Sequence, residues 1–336
     1  MADLINDSSA AKVWVEKALQ RHSDSIFGKL VSAVIWSDTR GPNGHPLVDV
    51  SPEALIAKFA RSPLILLHNH DPGQPKGQVL EAACFVDQDG MRFVAAILGF
   101  YAGGDVLNFR DLDIDTETPV PAAESLPSLP EDCWIEIAFD PREVDDEWFE
   151  QVGRDAPLSI VKSPLSHNSA EFAHELIRVG LIYLAIAWNP LVTSIASEAG
   201  KAAYSATHAW VRKLLERLAE RRNPILDFHT FYDDCQMSFL LRGRDLKLHY
   251  AAHDVLPAAV AQAQSLVTKL KVRSSPARQL VYEFSKETLR WYPSFVILSD
   301  GRMITDSVKL IAIENLPTGL SLGLTARSPG QRKRMN

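Results

Sequence analysis

The stretch PLILLHNHDPGQPKGQVL, residues 63 to 80, runs an apolar segment straight into two histidines and an aspartate, then breaks at Pro72 and Gly73. A buried strand gains nothing in packing from ending in His-x-His-Asp, so the residue types point to chemistry. One fitting chemistry is general acid–base catalysis. An imidazole takes the proton of an oxygen nucleophile and returns it to the leaving group, provided a third group orients the ring. His68, His70 and Asp71 are the residues that could take part. The other chemistry is metal-assisted hydrolysis. On a regular strand His68 and His70 point to one face, and such a pair can hold Zn²⁺. A zinc site needs a third ligand, however. Asp71 points the opposite way on a regular strand, and His167, His174, His249 and Asp254 fall into no recognised spacing. No metal or other cofactor is expected.

The surrounding pattern predicts the elements that hold this stretch. Residues 10–21 read as an amphipathic helix and Lys29 to Trp36 as a β-branched strand. A short helix capped by Ser51 ends before Pro63. Strands follow over the quoted segment, over Gly77 to Val86 and over Arg92 to Tyr101, with Asp89-Gly90 as a hairpin turn. Closing such a meander into a barrel is one way to hide its edges. Residues 103–132, rich in Pro, Ser, Thr and acids, read as a long surface loop. CWIEIAFDP reads as a strand. Asn168 and Glu171 have capping-box spacing, and with Phe172, Leu176, Ile177 and Gly180 they predict a helix over 168–179. LIYLAIAWNP reads as a buried strand, 202–222 as a helix, QMSFLLRG as a strand and Leu256 to Leu270 as a helix. Several β segments follow, turning at Asp300-Gly301. No sequence repeat, Walker-type loop or GxGxxG is present.

Composition narrows the function classes. The 336 residues are 46% hydrophobic and 23% charged with net charge -7, as in an ordinary globular protein. Without a concentrated basic surface a general nucleic-acid partner is not expected. No apolar run reaches the roughly 20 residues of a membrane span, and no signal peptide is recognisable. Cys84, Cys133 and Cys235 are widely spaced and odd in number, which suits a reducing, cytoplasmic setting.

The order of strand, PLILLHNHD, turn, KGQV strand and hairpin resembles the tailed-phage prohead (capsid maturation) protease family, which shares its fold with the herpesvirus assembly protease. In that family a segment similar to "nHD…piGkv" supplies the catalytic histidine, which maps to His70. A helix ending in Gly, followed by a strand resembling "mSIGF.P", carries the nucleophilic serine. The matching stretch is AHELIRVGLIYLAIAWNP, where the serine slot reads Ala185. An alanine methyl can neither attack a carbonyl nor give up a proton, so the chain as written should form no acyl-enzyme. Two readings stay open: an active protein whose serine was replaced to trap it, or a natural relative that has lost activity. Thr193, Ser194 and Ser197 are weaker substitutes, past Pro190. The family motif for the third member, similar to "L.EvSlv", falls on DCQMSFLL and gives Gln236, with Asp234 as an alternative and His229 as another.

The resemblance covers roughly residues 28–243. It implies an α+β protein with an antiparallel β-barrel core and surrounding helices. An N-terminal helical arm would occupy 1–27, the protease-like domain 28–243 and a C-terminal α+β module 244–330. The implied activity is a serine endopeptidase acting on capsid or scaffold proteins, in the bacterial host cytoplasm or the phage prohead, and working as a homo-oligomer. A pseudo-protease that binds a peptide or partner in the old cleft is the alternative of a different class.

Overall fold

The computed structural model describes residues 4–23, 26–40, 51–61, 64–69, 71–116, 118, 134–164, 175–181, 198–307 and 310. Helices α1 (Leu4–Asp7) and α2 (Ser9–Arg21) lead into β1 (Lys29–Ser37). Helix α3 (Pro52–Arg61), β2 (Ile65–His68), β3 (Asp71–Val86) and β4 (Arg92–Phe100) follow. The four strands form an antiparallel sheet in the order β1-β4-β3-β2. Successive side chains of β4 point to opposite faces, and both faces are covered. Phe93, Ala95 and Ile97 meet Ala11, Val15 and Ala18 of α2. Val94, Ala96 and Leu98 meet Leu55, Ile56 and Phe59 of α3. Ser8 caps α2 and Ser51 caps α3, each accepting a backbone N–H of the first turn.

The expected barrel does not form. A helix lies on each face of this sheet, and the sheet remains open at β1 and β2. The later strands that would have closed it belong to a second sheet. The coarse α+β class holds. The segment 1–27 is also more than an arm, since α2 forms one of the small sheet's two covering layers.

The second sheet has nine strands in the order β5-β13-β12-β11-β10-β9-β8-β6-β7. In chain order these are β5 (Val106–Leu107), β6 (Trp134–Phe139), β7 (Ser159–Pro164), β8 (Glu175–Leu181), β9 (Pro224–Tyr232), β10 (Cys235–Arg242), β11 (Ala277–Ser285), β12 (Arg290–Leu298) and β13 (Met303–Ile304). Its helices are α4 (Asp146–Arg154), α5 (Glu198–Ala219) and α6 (Leu246–Val272). Strands β8 and β9 are parallel neighbours joined through α5, and β10 and β11 are parallel neighbours joined through α6. All three helices pack on the same face of the sheet, over a core that includes Ile137, Val179, Phe228, Phe239 and Tyr282. The chain thus lays down helix and hairpin twice in tandem, although the sequence shows no repeat. Among the described residues no helix is long and apolar enough to cross a membrane.

The opposite face of the nine-stranded sheet receives the end of the small one. Tyr101, Phe27 and Ile65 pack there against Leu176, Ile225, Leu240, Val281 and Phe295. The Gln78 amide donates to the Gly301 carbonyl at 2.9 Å across the same junction.

Three expectations change. Residues 175–181 are a strand, not the end of a helix. Between β6 and β9 both faces of β8 are buried, so Leu176, Ile177 and Val179 satisfy a two-sided strand as readily as an apolar helix stripe. Asn168 and Glu171 lie outside the described residues. Helix α6 begins ten residues earlier than expected, capped by Asp245 and carrying Pro257 inside it. The boundary at 243/244 falls within one continuous sheet, because β10 and β11 are hydrogen-bonded neighbours.

Candidate functional site

Strand β2 ends at His68, which pairs with Asp71 across a tight turn. Asn69 has φ 50°, a left-handed conformation that Asn tolerates better than most residues.

Asp71 opens β3 and is 1% exposed. Its two oxygens accept four hydrogen bonds. Two come from its own turn, the Gly73 N–H at 2.9 Å and the Gln74 amide at 3.0 Å. The other two form a bidentate fork from Arg242 at the end of β10, at 2.8 and 2.7 Å. Arg242 also donates to Glu283 of β11 at 2.9 Å, and Glu283 accepts from the Tyr292 hydroxyl at 3.3 Å. Burial alone would lower the Arg242 pKa, but its bonds and charges with Asp71 and Glu283 outweigh this and hold it protonated. Burial and the Glu283 carboxylate push the Tyr292 phenol up to about 12. Gly73 permits this approach: a Cβ there would stand 2.1 Å from Glu283 Oε1 and 2.4 Å from Arg242 Nη2. The His-Asp stretch is in this way latched to the nine-stranded sheet.

Lys76 of β3, five residues beyond Asp71, is 9% exposed. Burial pushes its pKa below the usual lysine value. The His68 imidazole is lowered by burial and then by the Lys76 charge, against a smaller opposing effect of Asp71. The Asn69 amide nitrogen is 3.3 Å from His68 Nε2, while Nδ1 is buried without a partner.

A second polar cluster sits on the same face of the sheet, further along the strands. Asp227 of β9 is fully buried and accepts one bond, from Arg178 of β8 at 2.8 Å; its Oδ1 has no partner. His229, two residues on, has an unpartnered buried Nδ1 and a pKa lowered chiefly by burial. Its ring leans over Gly180, where a Cβ would come within 2.8 Å of Cε1. Ser238 of β10 is the cross-strand neighbour of His229.

A cavity of about 540 Å³ opens on the far side of Arg242. Leu248, Phe284, Ser285, Thr288 and Tyr292 line it with Arg242. It lies at the carboxyl ends of the parallel strands β10 and β11, where α6 begins. Such crevices are where open α/β sheets commonly bind ligands.

Set against the sequence-derived candidates, this geometry joins some and separates others. His68 and Asp71 are together at the latch. His70 and Ala185 lie outside the described residues, as do Thr193, Ser194 and Ser197. Asp234 has φ 61° in the turn between β9 and β10, beside Asp233 at 49°, and Gln236 follows on β10. Gln236 lies six residues before Arg242, so along the strand it is about 20 Å from the Asp71 contact. His229, opposite Ser238, is about 13 Å away by the same measure. None of the three therefore accompanies the His68–Asp71 segment. Among the described residues no three His, Cys, Asp or Glu side chains gather as a metal-ligand set. Of the cysteines, Cys84 and Cys235 are free thiols, and burial pushes Cys235 up to about 12. Sequence reasoning missed Arg242, Glu283 and Lys76. None of the three left a local signal that sets it apart from a solvated charge.

Comparison of the chain with protein-family models, curated proteins and solved structures finds no match. The resemblance to the prohead proteases accordingly rests on the two quoted motifs.

Proposed function

We propose that this chain is a non-hydrolytic binding protein, of the pseudo-protease type, that takes a peptide or protein segment at the junction of its two sheets. The observation that carries the reading is the Asp71 carboxylate: all of its bonding capacity is spent on its own turn and on Arg242. A carboxylate so committed fixes the two sheets and is not available to orient a neighbouring imidazole. Three further points agree. The nucleophile slot is Ala185. The motif that defines this slot requires a preceding helix, and Glu175–Leu181 is a strand. Of the candidate third members, His229 and Gln236 lie about 13 and 20 Å along the sheet from the latch, and Asp234 is further out in the turn before β10. What this region does offer is the cavity lined in part by Arg242, suited to holding a ligand without cutting it.

The competing reading is the serine endopeptidase of the capsid-maturation type, inactive here only for want of a serine. The two separate by selecting peptides from a displayed library on the immobilised protein and analysing the bound peptides by mass spectrometry. Bound peptides are expected to return intact from both the native chain and Ala185→Ser. Cleavage by Ala185→Ser at a consistent sequence would establish the endopeptidase instead.

A further inference from the structure

We infer that the cavity at the start of α6 is a socket for a tyrosine side chain, whose hydroxyl donates to the His249 imidazole. The inference rests on the binding reading above and names the side chain that the site takes. His249 stands in the first turn of α6 and is one of the residues that line the cavity of about 540 Å³. It is 0% exposed, and neither of its ring nitrogens has a hydrogen-bond partner. A buried polar group left in that condition costs free energy. Burial lowers the pKa of the ring, against the backbone carbonyls of Arg242 and Gly243. The imidazole is therefore neutral at pH 7, with one N–H and one bare nitrogen. Those carbonyls only accept, so they favour the N–H on their side. The bare nitrogen needs a donor, and among the described residues none is bonded to it.

The rest of the lining narrows that donor. Asp245 already accepts from the Lys247 and Leu248 N–H groups, so the helix start is occupied. Arg242 is paired with Asp71 and Glu283, and Lys286 with Glu287. A charged ligand would find every counter-ion taken, which leaves an uncharged one. Leu241, Leu248, Phe284 and Tyr292 supply apolar wall, which suits an aromatic body. A phenol joins such a ring to an O–H donor, and its oxygen can also accept from the Thr288 hydroxyl on the lining. An indole N–H can donate but not accept. The His249 nitrogens are closed to water, so the hydroxyl reaches one only as the lining side chains adjust. A peptide is favoured over a free phenol because Leu289, next in the chain to Thr288, and Tyr292 are 51% and 42% exposed. They offer an apolar rim to the residues that flank the tyrosine.

The test is a titration of the full chain carrying ¹⁵N in its histidine rings, with the His249 signals assigned through bonds from its backbone. The probes are acetyl-Gly-Tyr-Gly-amide, its phenylalanine and tryptophan counterparts, and p-cresol. The tyrosine peptide should bind saturably and move one His249 ring nitrogen upfield, the mark of an accepted hydrogen bond. The phenylalanine peptide should bind about tenfold more weakly, the worth of one hydrogen bond, and leave that nitrogen unmoved. Tryptophan binding as tightly as tyrosine overturns the phenol assignment, and p-cresol as potent as the tyrosine peptide overturns the peptide source. His249→Phe should erase the preference for tyrosine over phenylalanine. Thr288→Trp, at an exposed turn position, should fill the cavity mouth and abolish binding, and it decides the matter if His249→Phe does not fold. No saturable binding of the tyrosine peptide, an unmoved His249 signal, or undiminished binding by Thr288→Trp overturns the inference. Cleavage of the tyrosine peptide by Ala185→Ser would instead remove the non-hydrolytic reading while leaving the socket standing.

Discussion

Two aspartates, Asp71 and Asp227, sit on the same face of the nine-stranded sheet, equally buried and each paired with an arginine, yet they differ in every other respect. Asp71 accepts four hydrogen bonds and joins two sheets. Asp227 accepts one, from a neighbouring strand of its own sheet, and leaves an oxygen unpartnered. Full satisfaction marks a group whose work is structural, because nothing is left to offer a ligand. Partial satisfaction leaves a strand pair electrically unfinished and open to water or to a binding partner. The motif that first suggests catalysis thus contains the most committed carboxylate of the pair. The reactive-looking groups are ones the motif does not contain or does not emphasise: Asp227, His229 and Lys76.

The sharpest way to break this contrast is to remove each carboxylate in turn. Asp71→Ala strands Arg242 beside Glu283 alone and should cost about 3–5 kcal/mol. Asp227→Ala loses a single bond at a site already half satisfied and should cost about 1–3 kcal/mol. Chemical denaturation compares the two. Equal losses would mean that the number of bonds does not separate the aspartates.

Gly180→Ala probes the second cluster without touching a charge. The new Cβ would meet the His229 ring at 2.8 Å, so the ring must move or the strands must part, at about 1–3 kcal/mol. A thermal melt reads this, and an unchanged midpoint would show that the imidazole is not held over Gly180.

Lys76→Met sharpens the comparison from the other side, by removing an ammonium that burial already disfavours. It should stabilise the protein by about 1 kcal/mol. The sign with pH follows from the lowered lysine pKa. Just below 10.5 the unfolded chain keeps a proton the folded chain has released, so native stability rises with pH there. Lys76→Met should abolish that rise. Denaturation midpoints between pH 8 and 10.5 decide, with irreversibly aggregating samples discarded.

The smallest effect lies away from both aspartates, at Glu143. Burial pushes its carboxyl up to about 7, against the hydrogen bond from the Leu176 N–H. Between 4.5 and about 7 the folded chain therefore holds more protons than the unfolded chain, and stability falls as pH rises through that window. Glu143→Gln should flatten this slope, which a urea series at five pH values would reveal.

Much of the small sheet was legible. β1, β4, the Asp89-Gly90 hairpin and the Ser51 cap carry local signals, and each lies where periodicity and turn chemistry put it. β9 was not legible. Its inward face carries Asp227 and His229, polar residues that break the alternation expected of a buried strand. β8 read as a helix because a strand buried on both faces has no polar side to mark its period. The barrel expectation failed because nothing local in β1–β4 announces that helices will cover both of their faces. At the site, Asp71 stood out from its neighbours in sequence, but its partner Arg242 lies 171 residues away. Nothing near Arg242 distinguishes it from a solvated arginine at the end of a strand.

The most direct test of the central claim is the intact mass of Ala185→Ser after treatment with a fluorophosphonate. The account predicts an unmodified protein, because the segment before position 185 does not follow the family's helix-to-strand plan and the latch carboxylate is already committed. A stoichiometric phosphonyl adduct mapped to residue 185 would contradict it and restore a serine peptidase.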